Sequence, residues 1–214
     1  MNMEIISKLT HELKNPLSVC NGYLEMIKNS DEESKEKYLQ IIKSEIKRSL
    51  NILSNYSNKK LNIEKIDLIE FYKDIKNLFD LYFLKHNTKL SILNSEKIYI
   101  EGDYNKLKQV LINIIKNSYE AKKYNSKLLI TIKTISLENK IKIIIRDNGC
   151  GMNDNELQRI YENYYTTKEN GNGIGIPYIK EIITLHNGIV KYYSKKNIGT
   201  KVIIELPKKS PKTF

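Results

Sequence analysis

Cysteine is scarce: the 214-residue chain has two, Cys20 and Cys150. Neither has a metal-ligand companion at useful spacing, which argues against zinc ribbons and disulfide frameworks and leaves reduced structural thiols as the expectation. Nowhere do apolar residues run close to the ~20 that a membrane-spanning helix needs. The first ten residues lack a basic start followed by a continuous apolar run, so no secretory signal opens the chain as given. It reads as soluble and cytoplasmic, with an upstream sensor or membrane segment left open. Negative charge is in deficit, with 25 Asp+Glu against 36 Lys+Arg and a net charge of +11. A basic balance raises the question of nucleic acid or anionic lipid. The lysines are scattered, however, with short pairs at Lys59-Lys60, Lys122-Lys123, Lys195-Lys196 and Lys208-Lys209. No arginine-rich arm or zinc-finger spacing accompanies them, and no nucleic-acid partner is expected.

Apolar residues make up 40% of the chain, enough for a packed core. Over residues 4–28 they fall at Ile5, Ile6, Leu9, Leu13, Leu17, Cys20, Leu24 and Ile27. Steps of three and four predict an amphipathic helix, with Pro16 inside it to kink the backbone. Asn29-Ser30-Asp31 breaks the pattern and supplies an N-cap for a second helix from about Glu32 to Ser57. Its stripe holds Tyr38, Ile41, Ile42, Ile46, Leu50 and Leu53. One helical hairpin cannot bury two such stripes alone, so pairing with a second copy into a four-helix bundle is expected.

The pattern changes near residue 62. A helix is expected over Asp67–Lys85, short strands at Lys89–Leu93 and Lys97–Ile100, and a long helix over Asp103–Lys122. Alternation predicts strands at Leu128–Leu137 and Lys140–Arg146, a glycine-rich stretch over Asp147–Gly175, a helix over Ile176–His186, and a closing hairpin, Ile189–Tyr193 and Thr200–Leu206. Helices on one face of a mixed sheet make an α+β sandwich.

Four segments carry chemistry. In His11-Glu12-Leu13-Lys14-Asn15-Pro16-Leu17, an imidazole on the polar flank of the first helix has a carboxylate beside it. A neutral imidazole can attack phosphorus, and the carboxylate can hold its other ring nitrogen and take up the proton. Asn113 and Asn117 share one face of an otherwise apolar helix. Mg²⁺ with phosphate oxygens would satisfy such a face. Asp147-Asn148-Gly149-Cys150-Gly151 delivers a carboxylate from a strand into a glycine turn, suited to an exocyclic amine beside a flat ring. Gly171, Gly173 and Gly175 alternate ahead of a helix, where free N–H groups bind phosphate. A Rossmann reading fails, because no βαβ strand precedes the loop and no acidic residue follows at the right distance.

Taken in order, these segments resemble the H-box, N-box, first glycine box and lid with second glycine box of sensor histidine kinases, within the GHKL ATPase superfamily. The resemblance runs from about Ser7 to Pro207. It implies a dimeric four-helix bundle followed by a GHKL (Bergerat) sandwich. Residues 1–60 would form the dimerisation and histidine-phosphotransfer domain, and 61–214 the catalytic ATP-binding domain. It implies that His11 is phosphorylated from ATP, with Glu12 as acid/base partner and Asn15 orienting a water for phosphatase activity. It implies that Asn117 coordinates Mg²⁺, that Asn113 lies near the phosphates, and that Asp147 reads the adenine amino group beside Gly149 and Gly151. Thr167, Lys168, Gly171, Gly173 and Gly175 would form the lid, and Thr200 the closing motif. The implied partners are a response-regulator receiver domain and a second copy of the chain. Departures are mild: Tyr164 and Tyr165 stand where phenylalanine is usual, Asn172 replaces threonine, and Glu120 replaces a basic residue. A GHKL ATPase that is not a kinase, or a phosphotransfer scaffold, is the alternative.

Overall fold

The structure is a computed structural model that describes residues 3–28, 30–56, 61–93, 96–162, 165–166, 173 and 175–209. The chain falls into two compact units, Met1–Lys60 and Leu61–Phe214.

The first unit is a helical hairpin of α1 (Met3–Ile27) and α2 (Glu32–Tyr56). Asp31 starts α2 by accepting the Ser34 N–H at 2.8 Å, and Glu32 and Glu33 add negative charge where the helix dipole favours it. The two helices meet through Tyr23 and Tyr38, whose ring centroids are 5.3 Å apart, and through the Cys20 thiol, which donates to the Ile42 carbonyl at 3.7 Å. Pro16 is buried, and the helix continues on both sides of it. Leu17, Leu24, Met26, Leu39 and Ile46 stay exposed in the isolated hairpin. The side chains of Ile5, Ile6, Leu50 and Leu53 lie outside the described residues.

The second unit is an α+β sandwich. Five strands form a mixed sheet in the order β2-β4-β5-β7-β6: β2 (Thr88–Leu93), β4 (Leu128–Ser136), β5 (Lys140–Asp147), β6 (Ile189–Lys195) and β7 (Gly199–Pro207). The β2/β4 pair is parallel and the others antiparallel. One face alternates Leu90, Ile130, Ile132, Ile143, Ile145, Val202 and Ile204 into the core. Against it lie α3 (Leu68–Lys85), α4 (Tyr104–Glu120) and α6 (Gly175–Leu185), through Phe71, Tyr72 and Ile75, Val110, Leu111, Ile114 and Ile115, and Ile179, Ile182 and Ile183. Each such aliphatic side chain contributes about 1.5–3 kcal/mol on burial.

Two elements differ from the sequence expectation. The strand expected at Lys97–Ile100 is β3 (Tyr99–Gly102), and it pairs with β1 (Glu64–Asp67) in a separate two-stranded ribbon. The expected glycine-rich stretch contains a short helix, α5 (Asp154–Arg159), started by a capping box between Asn153 and Glu156.

Candidate nucleotide site and phosphoacceptor helix

In the second unit, β5 ends at Asp147, and three donors converge on its carboxylate. Oδ1 accepts the N–H of Gly149 at 2.9 Å and of Thr200 at 3.1 Å. Oδ2 accepts the hydroxyl of Ser118 on α4 at 2.9 Å. A carboxylate offers about four acceptor sites. Three are used within the chain, which leaves Oδ2 with capacity for one more donor.

The loop after Asp147 is fixed from several sides. Asn148 folds back on β4, accepting from the Leu129 N–H at 2.7 Å and donating to the Lys127 carbonyl at 3.1 Å. Cys150 N–H donates to the Ala121 carbonyl at the end of α4, and Asn197 N–H donates to the Cys150 carbonyl. Gly151 has φ +61°, and a β carbon there would run into the Lys195 carbonyl. The Ser194 hydroxyl accepts from Met152 N–H at 2.8 Å and shares a hydrogen bond with Thr200 Oγ1 at 2.9 Å. The turn thus cannot shift without breaking contacts to α4, β4, β6 and β7.

Helix α4 connects this carboxylate to the amide face. Asp103 caps it, accepting from Lys106 N–H at 3.0 Å, and its buried side chains hold it on the sheet. Successive helical residues point about 100° apart. Ser118 therefore aims at Asp147, while Asn117 turns toward the start of α6, where a β carbon on Gly175 would lie 3.9 Å from Asn117 Nδ2. Asn113, one turn earlier, is half-buried and accepts from Gln109 Nε2 at 3.1 Å. Gly173, just before α6, has φ +62°. Asn113, Asn117, Asp147, Gly149, Gly151, Gly175 and Thr200 are thus tied to α4, to the turn it braces or to the start of α6. Thr167, Lys168 and Gly171 lie outside the described residues.

Among the described residues no group of three or more His, Cys, Asp or Glu side chains is arranged to hold a metal. The oxygen-bearing amides of Asn113 and Asn117 match a hard cation that takes its remaining ligands from phosphate and water, so the donor set fits Mg²⁺ carried by a nucleotide.

In the first unit, His11 is exposed on α1, Glu12 is half-buried, and Asn15 is exposed one turn on, on the same face as His11. The imidazole is therefore open to a reaction partner.

Residues 102–210, just over half of the chain, match the family described as histidine kinase-, DNA gyrase B- and HSP90-like ATPases. The chain belongs to that family. Residues 1–59 match the His Kinase A (phospho-acceptor) domain, so the chain carries the two domains of a sensor histidine kinase core. Among curated proteins it is 33% identical to the sensor protein DegM of Bacillus sp. (strain B21-2), over 95% of this chain and 54% of that protein. It is 34% identical to sporulation kinase B of Bacillus subtilis (strain 168), over 97% of this chain and 50% of that one. The chain thus spans about half the length of these relatives. Among solved structures, histidine kinase ThkA in complex with the response regulator protein TrrA is similar at 26% identity and a TM-score of 0.70, covering 98% of this chain and 63% of that one.

The braces of the ATPase turn were not foreseen from sequence. Ser118, Asn148 and Ser194 are common surface residues, and only the fold brings Ser118 to Asp147, Asn148 to the Leu129 backbone and Ser194 to Met152 and Thr200. The same holds for His186, which is buried at the end of α6. It accepts the Asp103 N–H on Nε2 at 2.9 Å and donates from Nδ1 to the Ile182 carbonyl at 2.8 Å. Burial holds its pKa below the ordinary value, so it is neutral at physiological pH.

Proposed function

We propose that this chain phosphorylates itself on His11 with the γ-phosphoryl of ATP and passes the group to an aspartate of a response-regulator receiver domain. The observation that carries the proposal is the remaining acceptor capacity on Asp147 Oδ2, held between α4 and the glycine turn in a unit of the ATPase family. A fixed carboxylate with a vacant lone pair selects a donor, and the adenine amino group is one. Guanine presents a carbonyl at the same place, which would face two negative oxygens.

Asn117, with Asn113 beside it, would hold Mg²⁺. Bound there, the ion would supply positive charge to neutralise the phosphate oxygens. The chain's own part is position. The glycine turn fixes the ring, α4 sets the distance from ring to phosphates, and Lys168 with the lid amides supplies positive charge. Attack comes from an imidazole nitrogen of His11: the N–P bond forms as the bond to the bridging oxygen of ADP breaks. Glu12 takes the proton from the other ring nitrogen. Asn15, one turn along, positions a water that hydrolyses the partner's phosphoaspartate, releasing phosphate and the free carboxylate. Two copies of the chain pair through Leu17, Leu24, Met26, Leu39 and Ile46 into a four-helix bundle, with residues 1–60 as the phosphotransfer domain and 61–214 as the catalytic domain.

Calorimetric titration with Mg²⁺ and a non-hydrolysable ATP analogue tests the site. Binding is expected for the adenine nucleotide and not for its guanine counterpart. A charge-assisted hydrogen bond is worth about 1.5–3 kcal/mol, so Asp147→Asn should weaken binding by roughly 10- to 100-fold. Equal affinity for both bases, or an unchanged affinity in Asp147→Asn, would refute the assignment.

A further inference from the structure

The second unit's sheet has one face in the core and one in solvent, and the solvent face is strongly basic. Paired registers place Thr131, Arg146, Lys201 and Tyr193 in one row across it, and Lys133, Ile144, Ile203 and Lys191 in the next. Lys89 on β2 and Lys195 on β6 extend the same face to both edges. Lys89, Lys133, Arg146, Lys191 and Lys195 are all exposed. Lys140 and Lys142 also lie on this face, both paired with Glu205 at 2.7 and 3.1 Å, and Lys201 sits over the Tyr193 ring. Glu205 is the one carboxylate that these rows carry, against seven lysines and one arginine.

Composition does not explain this asymmetry. On the opposite side of the same unit, α3 carries three lysines, Lys73, Lys76 and Lys85, and three acids, Glu70, Asp74 and Asp80. Lys73 and Lys76 have acidic neighbours at 3.6 and 3.7 Å. Across α3, α4 and α6 together seven lysines stand against five acids, so the excess positive charge is concentrated on the open face of the sheet.

We infer that the open face of this sheet docks on an anionic lipid surface. Three features favour a bilayer over other anions. The cations spread across all five strands, a width of about 19 Å at ~4.8 Å per strand, broader than a single phosphate or carboxylate requires. All but one of them are lysines, whose compact hydrated charges suit a diffuse potential better than the bidentate grip that arginine gives to single carboxylates or phosphates. Between them stand Ile144, Ile203, Ile189 and Leu129, and Tyr193 is the face's one aromatic ring, too little for a base-stacking platform. Each lysine near an anionic bilayer contributes about a fivefold gain in partitioning. This inference goes beyond the kinase reading and does not depend on it.

The test is co-sedimentation of the whole chain with vesicles of phosphatidylcholine, alone or with one-third phosphatidylglycerol, at low and high salt. Binding is expected only to the anionic vesicles and should be lost at high salt. K89Q/K133Q/K191Q should bind on the order of 100-fold more weakly. K73Q/K76Q/K85Q removes the same net charge from α3 and should bind like the parent. Circular dichroism melts confirm that both variants fold. No binding to anionic vesicles, equal loss in both triple variants, or binding to duplex DNA or polyglutamate in place of vesicles would each overturn the inference.

Discussion

An alanine at position 151 has no room for its β carbon. Gly151 holds φ +61°, where an L side chain costs about 1–2 kcal/mol, and its missing β carbon faces the Lys195 carbonyl. Overpacking adds a further ~1–3 kcal/mol. Gly151→Ala should therefore lower the melting temperature of the second unit by roughly 5–15 °C and weaken nucleotide binding with it, which differential scanning fluorimetry with and without Mg-ATP would show. A residue that only touched the nucleotide would change binding and leave the melt in place. At this scale the candidate groups could be named from the sequence and their supports could not. Asp147, Asn117 and His11 stand in short patterns whose chemistry can be argued residue by residue. Ser118, Ser194 and Asn148 carry no such pattern, because their role is set by strand register and helix phase.

Helices α4 and α6 are joined by a side chain rather than by a loop. His186, at the end of α6, accepts from the backbone of Asp103, the residue that caps α4 and also receives the Asn62 N–H at 3.0 Å. Protonation of Nε2 would set two donors against each other. Burial has lowered the pKa of His186 in the folded state, so as pH falls the unfolded chain takes up the proton first. Stability is then complete above the unfolded value of 6.5 and declines from there toward the lowered folded value. The melting temperature should fall as pH drops below the unfolded value of 6.5, and more steeply than in His186→Gln, whose baseline is lower. Parallel curves for the two proteins would show that the histidine is not the sensor. The long helices and the β4/β5 and β6/β7 pairs were legible because their periods are strong. The β1/β3 ribbon was not, since its strands have four residues each and lie far apart in the chain. The short helix α5 was hidden by the glycines on either side of it, although Asn153 and Glu156 spelled its capping box.

At the scale of the whole molecule, the hairpin leaves apolar surface that a soluble single copy has no reason to expose. Leu24 and Met26 are each 51% exposed, and Leu17 is 53% exposed. If these residues meet a second copy, L24E/I46E should convert a dimer to a monomer in sedimentation equilibrium while leaving the melt of the second unit unchanged. A wild-type chain that sediments as a monomer at tens of micromolar would remove the bundle from the account. The two-unit organisation was visible as a change of period near residue 62. The outer charge of the sheet was not, because lysines scattered in sequence are gathered only when strands from separate parts of the chain pair. The proposal that phosphoryl transfer joins the units in one function is the claim on which the account rests. Incubated with Mg²⁺ and ATP labelled at the γ-phosphoryl, the chain should take up label in a linkage stable to alkali and lost in acid. His11→Gln should bind nucleotide with unchanged affinity and take up none. Label that persists in His11→Gln, or that survives acid, would contradict the account.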